Sequence, residues 1–154
     1  MLTSILTHSL AAILAAPNAP LVEDAALQQL GMKRFWEAQL PLTGDDKIVD
    51  AHLVDEALYV ISRDGRVFSL KADVGLLRWG ESLTERNHRI FPPRHLKQDG
   101  SSGPVVIPTS VGMFIIDRYT GQTIKRFMPP FVVSSAAIGF DNRLFTGGAD
   151  GRFY

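Results

Sequence analysis

The stretch "DGRVFSLKADVGLLRW", from Asp64 to Trp79, decides the fold because the chain contains two further copies of it. A weaker copy, "VGMFIIDRYTGQTIKRF", begins at Val111, and a third, "RLFTGGADGRFY", begins at Arg143. Each copy contains short runs of β-forming residues separated by turns that carry aspartate or glycine. This pattern predicts antiparallel strands joined by hairpins and repeated along the chain.

The copies lie at a regular spacing. Positions in and just before the first copy recur 86 residues later, as the pairs Leu58/Leu144, Tyr59/Phe145, Asp64/Asp150, Gly65/Gly151 and Arg66/Arg152. Trp36 and Trp79 are 43 residues apart, which is half that spacing, and Gly112 belongs to the middle copy. A period of ~40–50 residues with four strands is typical of β-propeller blades. The sequence therefore predicts an all-β fold of about two and a half four-stranded antiparallel blades, with a β-sandwich as the alternative.

The turn signals give the expected boundaries. We predict a short helix over 21–31, with acidic residues in its first turn and Gly31 after its end. A partial propeller is expected over 32–154, with blade units over 47–83, 90–127 and 132–154. Within it, a strand is expected over 32–42. A long loop is expected over 84–103, because that segment is polar and contains a Pro-Pro pair and a Gly/Ser run.

Composition excludes several classes of site. Sixteen basic residues balance sixteen acidic ones in the 154-residue chain, so net charge gives no long-range attraction to nucleic acid. The chain has no cysteine, which excludes disulfides, cysteine-ligated zinc and a thiol nucleophile.

Residues 1–20 match only part of the pattern of a secretion signal. An apolar run from Leu10 to Ala16 precedes small residues and prolines, but no lysine or arginine occurs before Lys33. The run is shorter than the ~20 apolar residues that span a bilayer. A signal-like segment and a disordered N-terminus both fit these residues, and a periplasmic or extracytoplasmic location is the corresponding expectation.

The segment "SLKADVGLLRW" resembles the tryptophan-docking repeat of the PQQ-like (quinoprotein-type) β-propellers, whose pattern is A-x-D-x-x-T-G-x-x-x-W. Gly75 and Trp79 hold their places in this pattern. Ser69, Lys71 and Val74 stand where alanine, aspartate and threonine are usual.

The second copy, "IIDRYTGQTIK", keeps Asp117, Thr120 and Gly121 but has Lys125 in place of the tryptophan. Upstream, Trp36 resembles the tryptophan of a preceding, incomplete unit. The resemblance implies that the glycine permits the turn between the third and fourth strands and that the tryptophan wedges between blades. It also implies that the aspartate and threonine cap that turn.

Complete propellers of this family have about six to eight blades, whereas the third copy here stops inside its third strand. The sequence is therefore expected to be a truncated or partial chain of a longer protein. Open blade edges would then favour self-association.

Most other motifs favour a structural role. Asp64-Gly65 and Asp150-Gly151 are more typical of hairpin turns than of cation ligands, and Asp45-Asp46 is typical of a turn. "TGGADG", from Thr146 to Gly151, lacks the following helix of a phosphate loop, and Ser101-Ser102 does not match the G-x-S-x-G elbow. The positions assigned a structural role in the repeat are Trp36, Asp64, Gly65, Gly75, Trp79, Gly112, Asp117, Thr120, Gly121, Asp150 and Gly151.

One cluster has two interpretations. The histidines His8, His52, His88 and His95 lack metal-ligand spacing, so no metal site is predicted. The expected loop nevertheless concentrates cationic and histidine side chains, which form either a solvated loop or a binding surface for an anionic ligand or partner. These candidate binding residues are Arg86, His88, Arg89, Arg94, His95 and Lys97.

Three functions fit the sequence. The favoured one is a non-catalytic scaffold or binding module with protein partners in the cell envelope, because degenerate PQQ-like repeats often serve as interaction platforms. The resemblance also allows a PQQ- and calcium-dependent quinoprotein dehydrogenase, although no convergent acidic cluster or Cys pair is evident. The third is a ligand- or carbohydrate-sensing propeller. No catalytic, cofactor-binding or metal-ligating residue is predicted.

Overall fold

The computed structural model describes residues 22–98, 101–140 and 143–154, and the chain divides into two compact units, Met1–Phe35 and Trp36–Tyr154. The first unit contains a single described helix, α1 (Asp24–Gln29), which is shorter than the predicted span. In the same unit, Arg34 forms an ion pair with Asp24 at 3.1 Å. The expectations for residues 1–20 lie outside the described residues. Across the described ranges, no helix has the length and apolar character needed to cross a membrane.

The second unit begins its regular structure with a four-stranded antiparallel sheet, the first sheet. Its strands are β1 (Ile48–Val54), β2 (Ala57–Ser62), β3 (Arg66–Lys71) and β4 (Leu76–Ser82), and they are hydrogen-bonded in that order. The turn between β2 and β3 contains Gly65 at φ +81°, a conformation that glycine adopts without steric cost.

A second sheet repeats this arrangement. Its strands are β5 (Arg94–Gln98), β6 (Ser101–Thr109), β7 (Gly112–Ile116) and β8 (Thr123–Phe127), again in sequential order. The prediction of a long loop over 84–103 is therefore wrong, because β5 and the start of β6 lie within it. Just before β5, Ile90 bridges to Thr109. Pro92 and Pro93 then interrupt the ladder, since proline has no backbone N–H to donate.

The third sheet contains β9 (Ile138–Phe140) and β10 (Arg143–Phe145). Its register reproduces that of the first hairpin: Gly139 pairs with Leu144 just as Leu53 pairs with Leu58, 86 residues earlier. Gly151 has φ +78°, close to the value at Gly65. The spacing found in the sequence thus corresponds to one repeated backbone geometry.

The apolar residues form three clusters that separate by sheet face. Strand β2 sends alternate side chains to opposite faces, as the two-residue period requires, so Tyr59 and Ile61 pack toward the second sheet while Val60 packs on the other side. The cluster between the first two sheets joins both of them and includes Val67, Trp79, Val105, Ile107, Phe114 and Ile116. A further cluster on the outer face of the second sheet contains Phe91, Met113 and Val133.

The outer face of the first sheet is covered by residues 38–42, which belong to a segment that was expected to be a strand. Residues 32–42 contain no strand, so that prediction is wrong. Alternate residues of the segment, Ala38, Leu40 and Leu42, pack against the cluster that includes Val60 and Phe68. These apolar residues thus pack on a sheet face without forming a strand themselves. The broader prediction, an all-β fold with four-stranded antiparallel sheets and one short helix, is confirmed.

Candidate functional site between the first and second sheets

Two tryptophans pack in the same way against the sheet that follows each of them. The Trp79 indole lies against Gly121, where an added Cβ would be 2.7 Å from the indole Cγ, and its Nε1–H donates to the Arg118 carbonyl at 2.9 Å. Trp36 lies against Gly75 in the same way and donates to the Ala72 carbonyl at 2.8 Å. A side chain at either glycine would displace the indole.

In the second sheet, Lys125 occupies the position that corresponds to these two tryptophans. In the first sheet, Trp79 pairs with Ser69 directly beside a β-bulge that leaves Arg78 unpaired. In the second sheet, Lys125 pairs with Ile115 beside the equivalent bulge at Ile124. Lys125 therefore occupies the backbone position of the docking tryptophan but supplies no indole, and it is exposed.

The turn between β7 and β8 is capped by Asp117. Its Oδ1 accepts hydrogen bonds from the backbone N–H of Tyr119 at 2.9 Å and of Thr120 at 2.8 Å, and from the Thr120 hydroxyl at 3.0 Å. These bonds hold the pKa of Asp117 below its ordinary value. Gly121 follows at φ +79° and completes the turn.

A chain of polar side chains crosses between the first and second sheets. The Tyr59 hydroxyl on β2 lies 2.8 Å from Nε2 of His95 on β5, and His95 Nδ1 lies 2.8 Å from Oδ2 of Asp55 in the β1–β2 turn. In the neutral imidazole, Nδ1–H donates to the carboxylate and Nε2 accepts from the phenol. Tyr59 is fully buried and the side chain of His95 is 4% exposed.

Two arginines flank this chain. Arg118 Nη1 lies 3.4 Å from Oε1 of Glu56, and Arg78 Nη1 lies 3.8 Å from the same oxygen. Both guanidinium groups stack on the Tyr119 ring, at 4.5 Å for Arg118 and 5.4 Å for Arg78. Arg118 also donates to the Tyr119 hydroxyl. We call Glu56, Arg78, Arg118 and Tyr119 the arginine cluster.

Asp55, His95 and Tyr59 form a carboxylate–imidazole–hydroxyl chain, which is the order of groups in a catalytic triad. Unlike the nucleophilic hydroxyl of a catalytic triad, the Tyr59 hydroxyl is buried. Burial raises the pKa of the Tyr59 phenol well above its ordinary value, so the phenol keeps its proton. Its ring lies 5.9 Å from that of Trp79, which closes the approach from that side. The chain of hydrogen bonds therefore joins two sheets and does not present a reactive oxygen to a substrate.

The same region contains one set of candidate metal ligands. Ligand atoms of Asp55, Glu56 and His95 lie within 4.8 Å of one another. The Arg118 guanidinium already stands between two of them, because its Nη1 is 3.5 Å from His95 Nδ1 and 3.4 Å from Glu56 Oε1. A metal ion there would be repelled by a cation that cannot lose its proton, so these residues do not fit a metal.

The predicted binding residues are separated by the structure. Arg86 is held by carboxylates, at 2.6 Å from Asp64 and 2.6 Å from Asp45, and these hydrogen bonds raise the pKa of the guanidinium. His88 and Arg89 line a cleft of about 250 Å³ at the opposite end of β2 from the Asp55 turn. Strand β5 contains the other three, Arg94, His95 and Lys97, of which His95 is buried at the sheet junction.

The remaining candidate motifs lie in turns, strands and short bridges. Asp46 accepts from the backbone N–H of Asp64 at 3.0 Å, and Asp150 accepts from the Tyr154 hydroxyl at 2.5 Å, which lowers the pKa of its carboxyl. His52 pairs with Asp50 at 3.1 Å. Ser101 and Ser102 lie in β6, and the glycine-rich segment forms the bridges Val133–Gly148 and Gly147–Phe153. His8 lies outside the described residues.

Sequence reasoning missed the arginine cluster and the role of Tyr59. The partners Tyr59 and His95 are 36 positions apart, and Glu56 and Arg118 are 62 apart, so no short motif connects them. The repeat pattern leaves both arginine positions unspecified. Arg78 directly precedes Trp79, and Arg118 lies three residues before Gly121.

Comparison with known proteins supports the fold. No protein-family model and no curated protein sequence matches the chain. The structure of BamB from Moraxella catarrhalis is similar, with a TM-score of 0.56 and 23% sequence identity. The similarity covers 80% of this chain and 36% of that one, so the chain spans about a third of the length of BamB. The chain thus has a β-propeller-type fold.

Proposed function

We propose that this chain is part of a non-catalytic β-propeller of the PQQ-like type that binds a protein partner in the cell envelope, in the periplasm or another extracytoplasmic compartment. The degenerate docking repeats and the similarity to BamB support the propeller type. The family resemblance and the partly signal-like residues 1–20 support this compartment.

The observation that carries the proposal is a mixed apolar and charged surface beside the arginine cluster. Three large apolar side chains are exposed there, Val74 at 54%, Leu76 at 63% and Tyr119 at 55%. They belong to the β3–β4 turn region of the first sheet and the β7–β8 turn of the second, which meet where Arg78 stacks on Tyr119. We call these three residues and the arginine cluster the turn surface.

Tyrosine and arginine beside aliphatic side chains are the composition of energetic centres in protein interfaces. The surface is also rigid, because Trp79 and the Tyr59–His95 hydrogen bond fix the two sheets to each other. Preorganisation lowers the entropic cost of binding. A rigid patch of this composition suits a protein partner better than a small substrate, which requires an enclosing cavity.

Site-specific photocrosslinking tests the proposal. With a benzophenone amino acid at Val74 or Leu76, we expect one predominant crosslinked protein in an envelope fraction. The same label at Ile48, which is 54% exposed and lies at the far end of β1, is the matched control and should give little of that product. Equal crosslinking from all three positions, or dye reduction by the chain after PQQ and calcium are added, would contradict the proposal.

A further inference from the structure

Two guanidinium groups of the arginine cluster form ion pairs with one carboxylate. The side chains of Arg118 and Arg78 are only 10% and 15% exposed, and a guanidinium cannot neutralise itself by losing a proton. Among the described residues, Glu56 is the only carboxylate within ion-pair distance of either one. Two buried cations therefore share a single carboxylate oxygen.

The cluster also has unused hydrogen-bond donors. Arg118 Nε and Arg78 Nη1 are both buried, and neither has a hydrogen-bond partner. The two distances to Glu56, 3.4 and 3.8 Å, exceed the ~2.7–2.9 Å of a charge-assisted hydrogen bond. A buried charged donor without a partner is costly, so the cluster is poised to bind another anion.

Glu56 is placed to give way to such an anion. Its side chain is 44% exposed, and it lies in the β1–β2 turn. Its backbone carbonyl accepts a hydrogen bond from Ala72 N–H at 3.0 Å, so the side chain can rotate into water while the backbone stays in place.

A β-bulge in β4 directs the Arg78 side chain toward Glu56. Arg78 is the unpaired residue of the bulge in β4, and bulges change the direction of a side chain. The equivalent bulge residue in the second sheet is Ile124, which is apolar and 61% exposed. The arginine is thus a feature of the first sheet and not a requirement of the repeat.

We propose that Arg78 and Arg118 form an anchor for a carboxylate side chain of a partner protein, and that Glu56 occupies this anchor until the partner displaces it. The inference rests on the proposed function and names the chemistry by which the turn surface recognises its partner. Tyr119, whose ring stacks on both guanidinium groups, then flanks the anchor and helps to exclude water from the bound carboxylate.

NMR titration of the folded chain tests the anchor without the partner. The probe is the blocked peptide acetyl-Gly-Ser-Glu-Ser-Gly-amide, with its glutamine counterpart as a control. The signals to follow are the Trp79 Nε1–H and the Nε–H of Arg118. We expect both signals to shift with the glutamate peptide and to remain unchanged with the glutamine peptide.

Three substitutions and one control define the result. Arg78→Gln should weaken binding of the glutamate peptide about tenfold or more, the size expected for a lost charge-assisted contact. Arg78→Lys should retain part of the affinity, because lysine keeps the positive charge but lacks the planar set of N–H donors of a guanidinium. Glu56→Gln should strengthen binding several-fold by removing the internal competitor. Arg126→Gln removes an exposed arginine of β8 and should change nothing.

The proposal is overturned if the Arg78→Gln variant, shown to be folded by an unchanged amide spectrum, binds the peptide as the parent chain does. Binding of inorganic phosphate without binding of the glutamate peptide would also overturn the assignment to a protein carboxylate. If the crosslinked partner is retained by Arg78→Gln, the anchor is wrong while the binding function stands. If the peptide binds but no partner is captured, the anchor stands and the proposed function fails.

Discussion

At the scale of single residues, the docking positions show how one side chain changes a junction. Trp79 is 5% exposed, packs on Gly121 and donates to a backbone carbonyl of the next sheet. Lys125 holds the same place relative to its bulge, but it is exposed. Trp79 should therefore contribute much more to the free energy of unfolding than Lys125.

Substitution of Trp79 by alanine should lower the free energy of unfolding by about 3–5 kcal/mol, because the large cavity it leaves cannot be filled without moving both sheets. Trp79→Phe should cost less, since one aromatic ring still fills part of the site, although part of the indole volume and the hydrogen bond to the Arg118 carbonyl are lost. Urea unfolding followed by far-UV circular dichroism measures both. Lys125→Ala is the matched control and should stay within about 0.5 kcal/mol of the parent chain. A similar loss at both positions would contradict the packing described here.

The Asp117 cap makes a pH-dependent contribution. Hydrogen bonds from the backbone N–H of Thr120 and Tyr119 lower the pKa of the folded carboxyl, so the unfolded chain takes up a proton at higher pH than the folded one. The contribution is complete above the unfolded pKa of about 3.9 and is lost as the pH falls through the lower, folded pKa.

Asp117→Asn should therefore be less stable than the parent chain near neutral pH, and the difference should shrink as the pH falls below about 4. Chemical unfolding at a series of pH values gives this difference directly. Substitution of the exposed Glu81 by glutamine controls for the loss of one surface carboxylate. A difference that stays constant from pH 7 to pH 3 would show that Asp117 does not act as a charged cap.

Residue roles were predictable only where a local pattern specifies them. The cap formed by Asp117 and Thr120 and the close approach to Gly75 and Gly121 follow from the repeat, since their partners lie at fixed spacings. The burial of His95 did not follow. Its partners come from another sheet, and its polar neighbours in sequence indicate a loop.

At the scale of elements, the first strand of the second sheet shows the limit of sequence patterns. Residues 89–91 and β5 both lie along β6, but Pro92 and Pro93 separate them. Prolines normally mark a loop. Here they interrupt a strand at the edge of the sheet, where the missing backbone N–H groups are tolerated. The dense apolar strand β2 was readily predicted because burial on both faces gives a continuous β-forming run.

The hydrogen bond between Tyr59 on β2 and His95 on β5 should couple the two sheets energetically. We expect a double-mutant cycle with Tyr59→Phe and His95→Leu to give a coupling energy of about 1–2 kcal/mol, because either single change leaves a buried polar atom without its partner. Urea unfolding of the four proteins measures it. A cycle that combines Tyr59→Phe with Lys125→Ala should be additive within about 0.5 kcal/mol. Additivity in the first cycle would mean that the contact contributes nothing to the junction.

At the scale of the molecule, the three sheets differ in how well they are supported. The first and second share an extensive apolar cluster, whereas the third has two strands with Ile138 and Phe140 exposed at 64% and 73%. The repeat period predicted the number and order of the sheets, since it is a property of the whole chain. It did not predict which polar side chains would meet between them, because those contacts join positions that the period does not relate.

Hydrogen exchange should follow this difference. We expect the slowest backbone amide exchange in the central strands β2, β3, β6 and β7, and clearly faster exchange in β9 and β10. Exchange measured by mass spectrometry on peptic fragments resolves these strands. Equal protection of β10 and β2 would show that the third sheet belongs to the same cooperative unit as the first two.

The exposed lysine at position 125 also has a mechanical consequence. Under tension applied across the sheets, the first two sheets should unfold together, because the Trp79 indole and the Tyr59–His95 hydrogen bond connect them. Among the described residues, hairpin β9–β10 makes no comparable tryptophan or tyrosine–histidine contact with the second sheet, so it should detach at lower force. Single-molecule stretching would then record a small early extension before one larger rupture.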